Sequence, residues 1–181
     1  MKWKLEVFTL FGKSIKFNVL KQRKEVIGMD FTEENILLDV VVASQSELFK
    51  SVARYAEKLG FVKDVEKVYE AFVERESEYS TGLQDGFAIP HAKSPYVLAP
   101  TVLFIRLENE LEWETFDESR VKNIFALLVP KEDEGTLHLE MLSRLATALM
   151  EDEFISQVQK NTNKDQLVTV IKNEMIGEST L

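Results

Sequence analysis

The chain has 181 residues, 45% hydrophobic and 29% charged, with a formal net charge of -9 at pH 7; this suits one globular domain with a proper core and argues against nucleic acid, which demands clustered Lys and Arg. It contains no cysteine, which excludes a disulfide framework, a thiolate zinc site and a cysteine nucleophile, and fits a reducing cytoplasm. No run of eighteen apolar residues is present to span a membrane, and the N-terminus lacks the continuous apolar stretch of a signal peptide.

Residues 1–20 alternate at period two, with Trp3, Leu5 and Val7 followed by Ile15, Phe17 and Val19. Gly12-Lys13 between the two runs predicts a two-residue hairpin turn with glycine first. The basic stretch Lys21-Gln22-Arg23-Lys24 reads as a solvated connector. A main domain is expected from near Asp30, giving an extension over 1–29 and a domain over 30–178. Ser44-Gln45-Ser46-Glu47 predicts a capping box. Leu48, Val52, Ala56 and Leu59 then share one helical face, and Gly60 closes the helix. Asp64 starts a second helix, with Val65, Val68, Tyr69, Phe72 and Val73 at helical spacing before the polar run Glu74-Arg75-Glu76-Ser77-Glu78. Two apolar runs, 101–105 and 124–129, read as buried strands. A helix is predicted from about Thr136, with Met141, Leu142, Leu145 and Leu149 facing inward. A last one over 165–175 carries Leu167, Val170 and Ile171. Helices mixed with strands favour an α/β sheet covered by helices.

Function concentrates in the segment 80–93. Its histidine, His91, is one of two in the chain and follows an Ile-Pro step behind Gly82 and Gly86. Glycine allows positive φ or a close backbone approach, and proline holds the residue before it extended. This mounting would present one imidazole at the end of a short stiff strand, on the rim of a glycine-bearing loop, and makes His91 a candidate phosphoryl acceptor. A structural core histidine needs no such display. His138 is expected in the first turn of the helix from Thr136, where free N–H groups and the dipole favour an anion; a helix-start histidine without a role is the alternative. Arg75, just before the loop, can grip phosphate oxygens with two parallel hydrogen bonds or pair in solvent with Glu74, Glu76 or Glu78. Ser80 and Thr81 are candidate hydroxyl donors to a phosphate, or else turn residues bonding their own backbone. The chain has no His-Glu-x-x-His pair, Gly-x-Ser-x-Gly elbow or Walker loop, which argues against a zinc centre, a serine hydrolase and that route to ATP. No metal or cofactor is expected.

The run Arg75-Glu76, then Ser80-Thr81-Gly82, then Gly86-Phe87-Ala88-Ile89-Pro90-His91-Ala92 resembles the active-site signature of fructose/mannitol-type EIIA domains. These belong to the bacterial phosphoenolpyruvate-dependent sugar phosphotransferase system, and the group includes nitrogen-regulatory members. Asn35-Ile36-Leu37-Leu38-Asp39, the stretch 113–129 and His138-Leu139-Glu140-Met141-Leu142 fall in the matching order, so the likeness runs from about residue 30 to 175. The resemblance implies a single domain with a mixed central β-sheet flanked by helices, the N-terminal hairpin being an addition to it. It implies that His91 accepts the phosphoryl group from the phosphohistidine of the carrier HPr and, in sugar-transporting members, passes it to a cysteine of EIIB. His138 would lie beside His91 as orienter and charge stabiliser, and Arg75 would hold phosphate oxygens, with Ser80, Thr81 and Gly86 lining the phosphate site. Lacking cysteine, this chain would need EIIB as a separate protein. Many relatives have a third glycine where this chain has Gln84. The extension lies outside the resemblance; it is a candidate for an edge cover, a homodimer contact or part of a partner interface. The expected function is that of a cytoplasmic phosphocarrier. A regulatory EIIA whose phosphorylation state controls a protein target, and a non-phosphorylated interaction module, are the alternatives.

Overall fold

Two long apolar strands, with helices on either side, organise the molecule. The computed structural model describes residues 7–10, 13–16, 31–132 and 136–176. An antiparallel pair, β1 (Val7–Leu10) and β2 (Lys13–Lys16), comes first. A 3-10 turn at Glu33–Asn35 leads into β3 (Ile36–Val40), followed by α1 (Gln45–Lys58) and α2 (Val65–Glu78). Then come β4 (Phe87–Ala88), β5 (His91–Ser94), β6 (Thr101–Leu111) and β7 (Val121–Pro130). Three helices close the fold: α3 (Thr136–Ala148), α4 (Asp152–Lys160) and α5 (Lys164–Ile176).

The sheet runs β3-β6-β7-β4, with β5 also paired to β7. It is mixed: β3 is parallel to β6, β6 antiparallel to β7, and β4 and β5 parallel to β7. Side chains alternate across it, as the pleat requires. Leu103, Ile105, Ile124 and Ala126 face α1 and α2, where Leu48, Phe49, Val52, Val68 and Phe72 meet them. Val102, Phe104, Phe125 and Leu127 face the other layer, built from Met141, Leu145, Phe154, Val158, Leu167 and Ile171. Burial on both faces is why the two long strands read as unbroken apolar runs.

Local signals explain three helix ends. Ser44 Oγ accepts from the amide of Glu47 at 3.2 Å, while the Glu47 carboxylate takes the amide of Ala43 at 2.8 Å. The expected box is thus displaced by one residue on its return bond, because Glu47 reaches past Ser44. Gly60 adopts φ +84°, and its amide bonds Glu57 while that of Phe61 bonds Ala56, a Schellman closure. Asp64 caps α2 through the amide of Lys67 at 3.0 Å.

Several expectations change. Leu10 pairs with Lys13, so Lys13 belongs to β2 and not to the turn, because the ladder continues to that pair. The basic stretch 21–24 lies outside the described residues. Val73 is 40% exposed and stands outside the core. Neither β3 nor α4 was expected as an element. What fixes α4 is Arg106, a buried arginine on β6. Its guanidinium donates to Asn123 Oδ1 at 3.1 Å, to the Asn161 carbonyl at 2.8 Å and to the Val158 carbonyl, satisfying the open end of the helix. Burial pushes its pKa down, and the Asp39 charge pushes back.

Candidate active site

His91 opens β5 and does not end a strand as expected, because Ile89-Pro90 interrupts the outer strand between β4 and β5. The preceding loop runs back along this strand: Gly82 bridges Ala88, and the Ile89 amide donates to the Thr81 carbonyl at 2.9 Å. Gly82 is required by closeness to protein. A Cβ there would stand 2.2 Å from the Glu114 carbonyl oxygen and 2.9 Å from Trp113. Gly86 takes φ +76° beside Asp85 at +57°. Its carbonyl receives the amides of Lys122 and Asn123, and its own amide bonds Ser119 Oγ, so its visible work is to join the loop to the start of β7.

His91 is 9% exposed. Its Nδ1 lies 3.1 Å from the carbonyl oxygen of Ile89, and its Nε2 receives the Nε–H of Arg75 at 2.8 Å. A guanidinium can only donate, so Nε2 must accept. Nδ1 therefore carries the ring proton and donates it to Ile89. The ring is neutral, with its lone pair on Nε2 and a fixed positive charge directed at that atom. A second arm of Arg75 donates to the Tyr79 carbonyl at 2.8 Å. Arg75 is thus held by His91 and the end of α2, and not by the glutamates around it.

Glu76, the next residue, turns away from Arg75. It accepts from the Thr81 amide and hydroxyl, Ser80 Oγ, Trp113 Nε1 and Gln45 Nε2. Ser80 Oγ also donates to the Glu114 carbonyl at 2.7 Å. Both hydroxyls are therefore engaged within the protein. His138 lies in the first turn of α3; its side chain is outside the described residues. The segment preceding α3 joins it to the end of β7, the strand beside β5.

With this geometry in view, the family model for the phosphoenolpyruvate-dependent sugar phosphotransferase system, EIIA 2, matches residues 29–174. The chain belongs to this EIIA family. It is 31% identical over 140 residues to the fructose-specific EIIABC component of Bacillus subtilis, covering 77% of this chain and 22% of that protein. It spans about a fifth of the length of the first such relatives. The fructose-specific EIIA component of Haloferax volcanii is 32% identical over 143 residues, 77% of this chain and 92% of that one. Among solved structures, the nitrogen regulatory protein IIA-Ntr from Neisseria meningitidis superposes with a TM-score of 0.72 at 28% identity, covering 81% of this chain and 98% of that chain.

Within this EIIA domain the sequence places Glu76 in the Arg75-Glu76 part of the signature and among the carboxylates that could pair with Arg75, but assigns it no role of its own. The signal available was its place in the Arg75-Glu76 pair five residues before Thr81. Among the described residues no helix is long and apolar enough to cross a membrane, and no group of three or more His, Asp or Glu could hold a metal ion.

Proposed function

We propose that the protein is a phosphocarrier of the sugar phosphotransferase system, with His91 Nε2 as the atom that accepts the phosphoryl group. The observation that carries the reading is the bond from Arg75 Nε to His91 Nε2 at 2.8 Å, together with Nδ1 on the Ile89 carbonyl. The Nε2 lone pair attacks the phosphorus of the phosphohistidine of HPr. The new N–P bond forms as the old one breaks, and that electron pair returns to the donor's ring nitrogen. The Nδ1 proton stays where it is, and the Ile89 carbonyl stabilises the positive charge arriving on the ring. Arg75 shifts from the lone pair to the phosphoryl oxygens, where a guanidinium matches the geometry. Such transfer needs chiefly positioning and charge stabilisation. The His138 side chain would add to both from the first turn of α3, with Gly86 shaping the loop and Ser80 and Thr81 holding it. The group then passes to a cysteine of EIIB, a residue this chain lacks. Residues 30–178 form the phosphotransfer domain in this reading, 1–29 an appended hairpin, and the setting is cytoplasmic.

Incubation with phosphoenolpyruvate, enzyme I and HPr, followed by intact mass and acid treatment, tests the proposal. One acid-labile phosphate, absent from His91→Ala, is expected. No phosphate in the presence of competent HPr would overturn it. A second reading, a regulatory EIIA, is favoured by the likeness to IIA-Ntr over nearly all of that chain. Transfer onward to an EIIB supports transport, whereas a target protein bound in only one phosphorylation state supports regulation.

A further inference from the structure

We propose that Glu76 is a positioning residue for phosphoryl transfer, acting on the His91 tautomer through Thr81 and Ile89; the inference rests on His91 being the phosphoryl acceptor. A carboxylate offers about four lone-pair sites and no donor. That of Glu76 meets four donors: Thr81 Oγ1 at 2.5 Å, Trp113 Nε1 at 2.9 Å, and the Thr81 amide and Gln45 Nε2 at 3.1 Å each; Ser80 Oγ stands 3.2 Å away and shares its one proton with the closer Glu114 carbonyl. Two consequences follow.

The first is mechanical. Glu76 pins both the amide and the hydroxyl of Thr81, the Thr81 carbonyl receives the Ile89 amide at 2.9 Å, and the Ile89 carbonyl receives the Nδ1 proton of His91. Three successive links, made by four hydrogen bonds, thus join one carboxylate to the choice of which ring nitrogen is protonated. Let Thr81 move, and Ile89 loses the support that keeps its carbonyl under Nδ1. The second is electrostatic. An exposed Glu beside an Arg ordinarily competes for it, but this carboxylate is engaged on both oxygens by neutral donors from α1, the glycine loop and the loop after β6. Arg75 is left to bond His91 and Tyr79.

Glu76→Gln, Thr81→Val and Thr81→Ser test the chain of contacts in the full-length protein. Two readouts are used: imidazole 15N shifts of His91 without any partner, and phosphorylation kinetics with phospho-HPr. Wild type and Thr81→Ser are expected to hold a single Nδ1–H tautomer. Glu76→Gln is expected to populate both tautomers and to lower kcat about 10- to 100-fold with KM for HPr little changed, since misplacing the nucleophile penalises the chemical step. Thr81→Val, which loses only the hydroxyl bond, should fall between them. A folded Glu76→Gln protein with one tautomer and wild-type kcat overturns the inference. If Glu76→Gln does not fold, Thr81→Val decides by the same two readouts, and wild-type values in both overturn it. Should the wild-type protein take no phosphate on His91, the phosphocarrier reading falls while the tautomer comparison still decides the role of Glu76.

Discussion

Arg75 reaches two acceptors at once, the Nε2 of His91 and the carbonyl of Tyr79, and its planar fork holds both donors in fixed directions on one side chain. Arg75→Lys keeps the charge and loses the fork. In the proposed transfer the rate should fall about 10²- to 10³-fold, the usual effect of removing one preorganised donor, while the denaturant midpoint moves little; rapid-quench phosphorylation alongside urea unfolding measures both. Asp117 gives a residue-scale prediction of another kind. The Ser119 hydroxyl, then the Asp85 amide, hold its carboxyl from the ordinary 3.8 to about 2. A depressed folded value stabilises the fold above the unfolded pKa, and the gain disappears as pH falls through the folded one. The stability advantage of wild type over Asp117→Asn should therefore be full above pH 4 and vanish between about 4 and 2 in urea titrations. Legibility at this scale follows sequence distance. Arg75 and His91 are 16 residues apart and flank one loop, so their nearness can be read. The bonds of Glu76 to Gln45 and Trp113 cross 31 and 37 residues and leave no local pattern.

Elements were readable where a cap or a period announced them. Ser44, Gly60 and Asp64 mark α1 and α2 because each side chain or backbone angle solves a problem within four residues. By contrast, α4 has nine residues, no side-chain cap and only Phe154 and Val158 buried; it is held from outside by Arg106. In β3, Asp39 sits at φ +56° and the register slips between Leu37 and Val40, which breaks the alternation that would reveal a strand. The glycine loop was visible, but its reason was not. Gly82 makes room for the Glu114 carbonyl, a neighbour known only from the fold. Gly82→Ala forces that backbone or its own to move, and should cost about 3 kcal/mol, the upper range for overpacking. Chemical denaturation of the purified variant measures it, and a loss under 0.5 kcal/mol (roughly the neutral range) would show that the loop yields freely.

The whole molecule depends on both faces of one sheet being covered. Phe125 marks the centre of the second layer, its ring 5.0 Å from Phe104 and 6.3 Å from both Phe87 and Phe154. Phe125→Ala should therefore lower unfolding free energy by about 3–5 kcal/mol, read from the urea midpoint at unchanged slope. The α/β class and the layering were accessible from apolar runs and helical periods. The strand order was not, since parallel pairing joins segments that no local pattern links. One bond pair described at the site has a further effect at the rim of the sheet. Outermost strands present vacant backbone groups on which another chain can build, a common route to aggregation. At Ile89 both groups are occupied, the amide by Thr81 and the carbonyl by the His91 side chain. The contacts that orient the imidazole thereby deny a foreign strand its foothold beside the His91 ring.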